Sequence, residues 1–159
     1  MSARPPPTSS EKTILVNKKA RFEYHILEVF EAGIVLSGSE IKSVRNSGIS
    51  IEEGYVRPFS DGMYLLGATI RPYSHGHHGA ATYDPLRPRK LLLHKRQIDF
   101  LRGRVEQKGL TIVPLRVYLK GGRAKVEIAL ARGKDNPDKR EAVKEREAKR
   151  ELARALKHG

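Results

Sequence analysis

Between Val113 and Leu130 the chain alternates apolar and polar residues on both sides of Gly121-Gly122. Val113, Leu115, Val117 and Leu119 alternate with Pro114, Arg116, Tyr118 and Lys120. After the glycines, Ala124, Val126, Ile128 and Leu130 alternate with Arg123, Lys125, Glu127 and Ala129. A period of two belongs to strands with one buried face, and a two-glycine link closes a hairpin. This pattern commits the chain to antiparallel sheet. Pro114 has no N–H to offer a ladder, so it is expected at an edge or a bulge.

The rest of the body also reads mostly as strand. Phe22, Tyr24 and Ile26 alternate with Glu23 and His25. Glu31-Ala32-Gly33 breaks that pattern and Ile34-Val35-Leu36 starts another strand, so a hairpin is expected there. Ser37-Gly38-Ser39-Glu40 resembles a helix start, with Ile41 and Val44 on one face of the short helix and Lys42 and Arg45 on another. The stretches 53–59 and 63–70 flank Ser60-Asp61-Gly62, a second hairpin signal. Residues 71–90, rich in Pro, Gly, His and Arg, read as loop. His94 to Lys108 has Ile98, Leu101 and Val105 at helical spacing; Gly109 should stop this helix, and Gly103 weakens it. These elements predict a mainly β fold, a small antiparallel barrel of about six strands with two or three helices.

Arg132 to Gly159 cannot join that core. Its 28 residues carry ten Lys/Arg and six Asp/Glu, too polar to offset the entropy of ordering. It nevertheless holds a helix recipe: Asp138 after Pro137 as N-cap, Glu141 three positions on, and no Gly or Pro until the last residue. Arg146, Arg150 and Arg154 recur every four residues as a cationic stripe. Their mutual repulsion nearly cancels the cap and the Glu–Lys pairs, so the free tail is expected to be disordered and to become helical against phosphates. The alternative is a solvated, floppy tail.

The net charge of +13 and a pI near 10.2 favour a nucleic-acid partner, because Lys and Arg displace counterions from phosphates. The absence of Cys excludes disulfides, thiolate metal sites and cysteine nucleophiles. No apolar run approaches the ~20 residues of a membrane span, and the first residues lack a signal peptide's apolar stretch. A cytoplasmic protein with no membrane partner is expected. Residues 1–12 read as a disordered Pro/Ser arm, 13–131 as the barrel and 132–159 as the basic tail.

Three constellations carry candidate chemistry. Ser39 to Arg45 could dock on RNA through Lys42 and Arg45; the alternative is an ordinary surface helix. Arg87-Pro88-Arg89-Lys90-Leu91-Leu92-Leu93-His94-Lys95-Arg96 is densely cationic, and its loop-like start should let Arg89 and Lys90 fan onto a phosphate backbone. His75-Gly76-His77-His78 has enough imidazoles for zinc, but adjacent histidines in a Gly-rich loop are better read as exposed. No nucleophile elbow is present. His94 and Lys95, adjacent on a helix, point about 100° apart, poor geometry for acid–base work on one phosphate. No catalytic residue, metal or cofactor is therefore expected.

In order along the chain, Ala20-Arg21, Phe30-Glu31-Ala32-Gly33, Gly38-Ser39-Glu40-Ile41-Lys42-Ser43-Val44-Arg45, Arg89-Lys90-Leu91-Leu92-Leu93, Ala131-Arg132-Gly133-Lys134 and Asp138-Lys139-Arg140 resemble the SsrA-binding protein (small protein B) family of bacterial trans-translation. The resemblance implies an oligonucleotide-binding (OB)-type barrel that binds the tRNA-like domain of tmRNA and carries it to stalled ribosomes. It implies a tail that enters the vacant mRNA channel near the decoding centre, against small-subunit rRNA. Elongation factor Tu with GTP would join only indirectly, through alanyl-tmRNA, and the protein would act as a monomer. By resemblance the tmRNA surface includes Asn17, Arg21, Glu31, Glu40, Lys42, Arg45, Leu92 and Lys125, to which the cationic run adds Arg89 and Lys90. The ribosome-facing set is Gly133, Lys134, Asp138, Lys139, Arg140, Arg146, Arg150 and Arg154. Glu31 and Glu40 suit base or ribose donors, or the orienting of nearby cations, better than phosphates. Two positions depart from the family. Phe22 stands where the family usually has His. Pro137 replaces a residue that is commonly aromatic or His, so no stacking role carries over to it. The other readings are a basic ribosomal or initiation-factor-like barrel and an RNA-processing enzyme.

Overall fold

A computed structural model describes residues 11–73, 83–134, 146–150 and 152. Along the body run β1 (Glu11–Val16), α1 (Lys18–Glu23), β2 (Tyr24–Ile34), α2 (Gly38–Arg45), β3 (Ile49–Ser50) and β4 (Tyr55–Phe59). Then follow β5 (Gly62–Leu66), β6 (Thr69–Ile70), β7 (Arg89–Leu92), α3 (Lys95–Val105), β8 (Leu110–Lys120) and β9 (Arg123–Gly133). The glycine-linked hairpin is β8–β9, as its alternation requires. Six strands close a ring in the order β8-β4-β5-β7-β2-β9, with β9 returning to β8 and every pairing antiparallel. Closure leaves none of these six strands at a free edge of the ring. β1 lies against the later half of β8, and β3 pairs separately with β6. The sheet thus claims Glu11 and Lys12, assigned above to the N-terminal arm, and extends to Gly133, two residues beyond the expected boundary.

Bulges decide which residues meet. The β8–β9 register shifts between Pro114 and Arg116, so Pro114 does sit at a bulge. The extra residue flips the side-chain parity. Ile112 and Val117 face the barrel core, whereas Val113 and Leu115 lie in a second cluster with Ala20, Ala129 and Ala131. The single face read from Val113 to Leu119 is therefore two faces. On β9 the alternation holds, with Ala124, Val126, Ile128 and Leu130 all in the main core.

The hairpin expected at Glu31-Ala32-Gly33 does not form; β2 runs straight through it. Gly33 is a close-approach glycine, because a Cβ there would lie 3.2 Å from Leu92 Cβ across the β2–β7 pairing. Phe22 belongs to α1. The Asn17 side chain accepts from Ala20 N and starts that helix, overriding the alternation. The helix expected to reach Lys108 ends at Val105, and short turns (Gln107 N to Arg104 O, Leu110 N to Gln107 O) carry the chain past Gly109. α3 buries Leu101 completely and leaves Gly103 exposed with no atom near a would-be Cβ.

Leu101→Ala should cost about 2–5 kcal/mol. Gly103→Ala should add roughly 0.5–1 kcal/mol by raising helix propensity. Urea unfolding of the two variants reads both signs.

Candidate nucleic-acid interface

α2 is locked in place before it can present anything. Ser37 and Glu40 form a capping box, and the Glu40 side chain then continues into the interior, where the residue is 2% exposed. Its Oε2 accepts from Arg89 Nη2 at 2.7 Å and Nε at 3.1 Å, and its Oε1 from Arg87 Nη2 at 2.5 Å. Arg89 is fully buried and also donates to Pro85 O (2.8 Å), Ala68 O (3.3 Å) and the Tyr83 hydroxyl (3.1 Å). Burial would raise the Glu40 carboxyl, but the Ser37 backbone N–H and the two guanidinium groups outweigh it and bring it to about 2.

This corrects part of the expected RNA surface. Arg89 and Lys90 lie on β7, not in a fanning loop, and Arg89 has all its donors turned inward. Glu40 is the partner of that arginine. Asn17, 2% exposed, caps α1 and donates to Pro114 O at 2.9 Å and Ile51 O at 3.3 Å. These three side chains hold the scaffold. A cation run reads as solvated from sequence alone, and only a partner carboxylate distant in the chain reveals otherwise.

The other candidates gather near the Gly121-Gly122 end of the barrel. Lys125 pairs with Gly33, and Gly33 with Leu92, which is 57% exposed. Glu31 sits two residues along β2, and Arg45 Nη2 lies 3.5 Å from Gly122 O. Lys42 extends over the Tyr73 ring at 5.6 Å. Arg21, on α1, approaches Glu127 at 3.9 Å, and Glu127 is directly across the ladder from Glu31. Lys90 lies on the other flank, 3.9 Å from Asp61. Sequence reading passed over Tyr118, whose hydroxyl donates to Glu31, and Lys120, 3.5 Å from the same carboxylate. The available signal was a tyrosine between two cations on the outward face of a strand.

The tail is rooted on α1. Lys134 N donates to Glu23 O at 2.9 Å and its Nζ to Arg21 O at 3.4 Å, just after Gly133 pairs with Tyr24. Residues 146–150 are helical and exposed, with the Arg146 guanidinium 4.8 Å over the Phe22 ring. Arg150 shares that stretch. Pro137, Asp138, Lys139, Arg140, Arg154 and the histidines at 75, 77 and 78 lie outside the described residues. No described helix is long and apolar enough to cross a membrane.

Residues 14–158 match the family described as SmpB protein. The chain is 54% identical over 149 residues to an SsrA-binding protein of Solidesulfovibrio magneticus, covering 93% of this chain and 95% of that one. It is 51% identical to an SsrA-binding protein of Chloroflexus aggregans, with 94% of each covered. A solved structure described as "tmRNA-SmpB: a journey to the center of the bacterial ribosome" superposes with a TM-score of 0.64 at 47% identity, covering 81% of this chain and 93% of that one.

Glu40 titrates lower in the folded chain than its ordinary value of 4.5. Its stabilisation is therefore complete above that value and lost as pH falls towards about 2, a loss on the order of 2–3 kcal/mol. Urea midpoints of Glu40→Gln should fall less steeply across that window than those of the parent. Arg89→Met strips the buried Glu40 carboxylate of its buried cation, leaves it only the half-exposed Arg87 as a charged partner, and should cost about 3–5 kcal/mol at neutral pH.

Proposed function

The chain belongs to the SmpB protein family, and from that premise we propose that it is an RNA-binding adaptor, which binds the tRNA-like domain of tmRNA and delivers it to ribosomes stalled without a stop codon. The observation that supports this most is the convergence of Glu31, Arg45, Leu92 and Lys125 on one end of the barrel. Three strands and a helix bring them together from well-separated parts of the chain. Cations there hold phosphates, Leu92 offers apolar contact, and the barrel reads a folded RNA by shape. Arg21 and Lys42 extend the surface along α1 and α2.

On the ribosome the barrel occupies the place of a tRNA's missing anticodon half. The tail enters the vacant mRNA channel near the decoding centre, where rRNA phosphates along Arg146, Arg150 and Arg154 turn their mutual repulsion into attraction. Residues Gly133 and Lys134 set the tail's departure, and Asp138, Lys139 and Arg140 begin its contact. A channel filled by mRNA gives the tail no place to fold, so steric exclusion separates stalled from active ribosomes. Elongation factor Tu with GTP takes part through alanyl-tmRNA. The adaptor works in the cytoplasm as a monomer and performs no catalysis.

Truncation after Lys134 keeps the whole sheet and should leave tmRNA affinity nearly unchanged while abolishing peptide tagging of stalled products; surviving tagging would refute the tail's role. Lys42→Ala and Arg45→Ala should each weaken tmRNA binding and flatten the plot of log K against log salt by about 0.7–0.9. A slope that stays steep in both variants removes them from the phosphate clamp.

A further inference from the structure

Tyr118 is 1% exposed, although its side chain lies on the outer face of the barrel, away from the main core. The Arg116 guanidinium covers its ring at 4.0 Å. Arg116 is itself fixed by Glu11 (2.9 Å), Glu127 (3.2 Å) and Thr13 Oγ1 (3.2 Å). Between β8 and β2 runs β9, where Lys125 is paired with both Tyr118 and Gly33, and Glu127 with both Arg116 and Glu31. Tyr118 and Glu31 are therefore two strand spacings apart across the sheet, about 9.6 Å, and two residues offset along it. The tyrosine and glutamate side chains together span that gap, and the tyrosine hydroxyl donates to Glu31 Oε2. Lys120 Nζ approaches the same oxygen at 3.5 Å, which among the described residues leaves Oε1 of a 42% exposed side chain to accept from a bound molecule.

We propose that Tyr118 is a positioning residue that fixes Glu31 as a hydrogen-bond acceptor for donor groups of the bound RNA, a base amino group or a ribose 2′-hydroxyl, within a surface whose cations hold phosphates. This rests on the RNA-binding reading above. A carboxylate repels phosphates, so its outward oxygen at the middle of a basic surface suits a place where RNA presents donors. An unheld glutamate would fold onto Lys120 or Lys125; the phenol sets its direction before binding and removes that ordering cost. Burial raises the Glu31 carboxyl, but the Tyr118 hydroxyl, Lys120 and Lys125 outweigh it, so the group is an ionised acceptor at neutral pH. Burial and the nearby carboxylates Glu31, Glu11 and Glu127 push the phenol up and keep its proton in place. Glu40, internally paired with Arg89, has no such role.

The test uses the full chain and the tRNA-like domain of tmRNA transcribed in vitro. Tyr118→Phe keeps the ring beneath Arg116 and deletes only the hydroxyl. It should weaken binding about 5–10-fold with an unchanged salt slope, since no phosphate contact is lost. In a Glu31→Gln background it should add less than about twofold. The Glu31 carboxyl, followed by 13C NMR, should titrate higher in Tyr118→Phe, a check that the bond existed in a folded chain. RNAs with single base-amino deletions and RNAs with single 2′-deoxy substitutions identify the donor: one of them should abolish the Glu31→Gln penalty. Equal losses in both backgrounds, a flattened slope, an affinity within twofold of the parent, or a penalty that no donor deletion removes would each overturn the proposal. Failure of the parent chain to prefer the tRNA-like domain over a bulk rRNA fragment would instead overturn the RNA-binding reading itself.

Discussion

β9 hydrogen-bonds along its length to β2 on one side and β8 on the other, and the positions of the surface side chains follow from that double pairing. Its even-numbered residues fill the barrel. Its odd-numbered residues carry Lys125 and Glu127 outward between two neighbours that supply Glu31, Arg116 and Tyr118. Ladder bonds fix these distances far more rigidly than any surface ion pair could. The charged side chains then need only reach across known gaps.

A second constraint comes from Glu40 and Arg89. A buried ion pair is seldom a net source of stability, because desolvation offsets most of the attraction. Its effect here is on position. Five donors on Arg87, Arg89, Ser37 and Tyr83 converge on one carboxylate, so α2 has few alternative seats. Lys42 and Arg45 leave that helix on the outside, and their direction inherits the rigidity of the buried pair beneath.

The sequence made some of this legible and concealed the rest for definable reasons. Strict alternation from Ala124 to Leu130 survives because no bulge interrupts β9. The same reasoning mis-sorted Val113 and Leu115, since a single inserted residue flips parity without altering composition. Gly33 was read as a turn because glycine serves both turns and close approaches, and only Leu92, remote in sequence, distinguishes them. Of the proposed RNA surface, the residue types were readable, but not which of them are exposed. Arg89, Glu40 and Asn17 answer to partners across the fold, and Tyr118 gains its interest only once β9 brings it within reach of Glu31.

Under the proposed function the attachment of Lys134 to α1 would make the tail a tethered second ligand. Whatever the barrel holds, the residues that follow encounter its surroundings at an effective concentration set by the tether, on the order of millimolar for short linkers. Contacts far too weak to form between separate molecules become populated under that condition. Under the proposed function the tail's marginal helix propensity, read from sequence, would be an advantage, because avidity would complete the folding and a departing partner would reverse it.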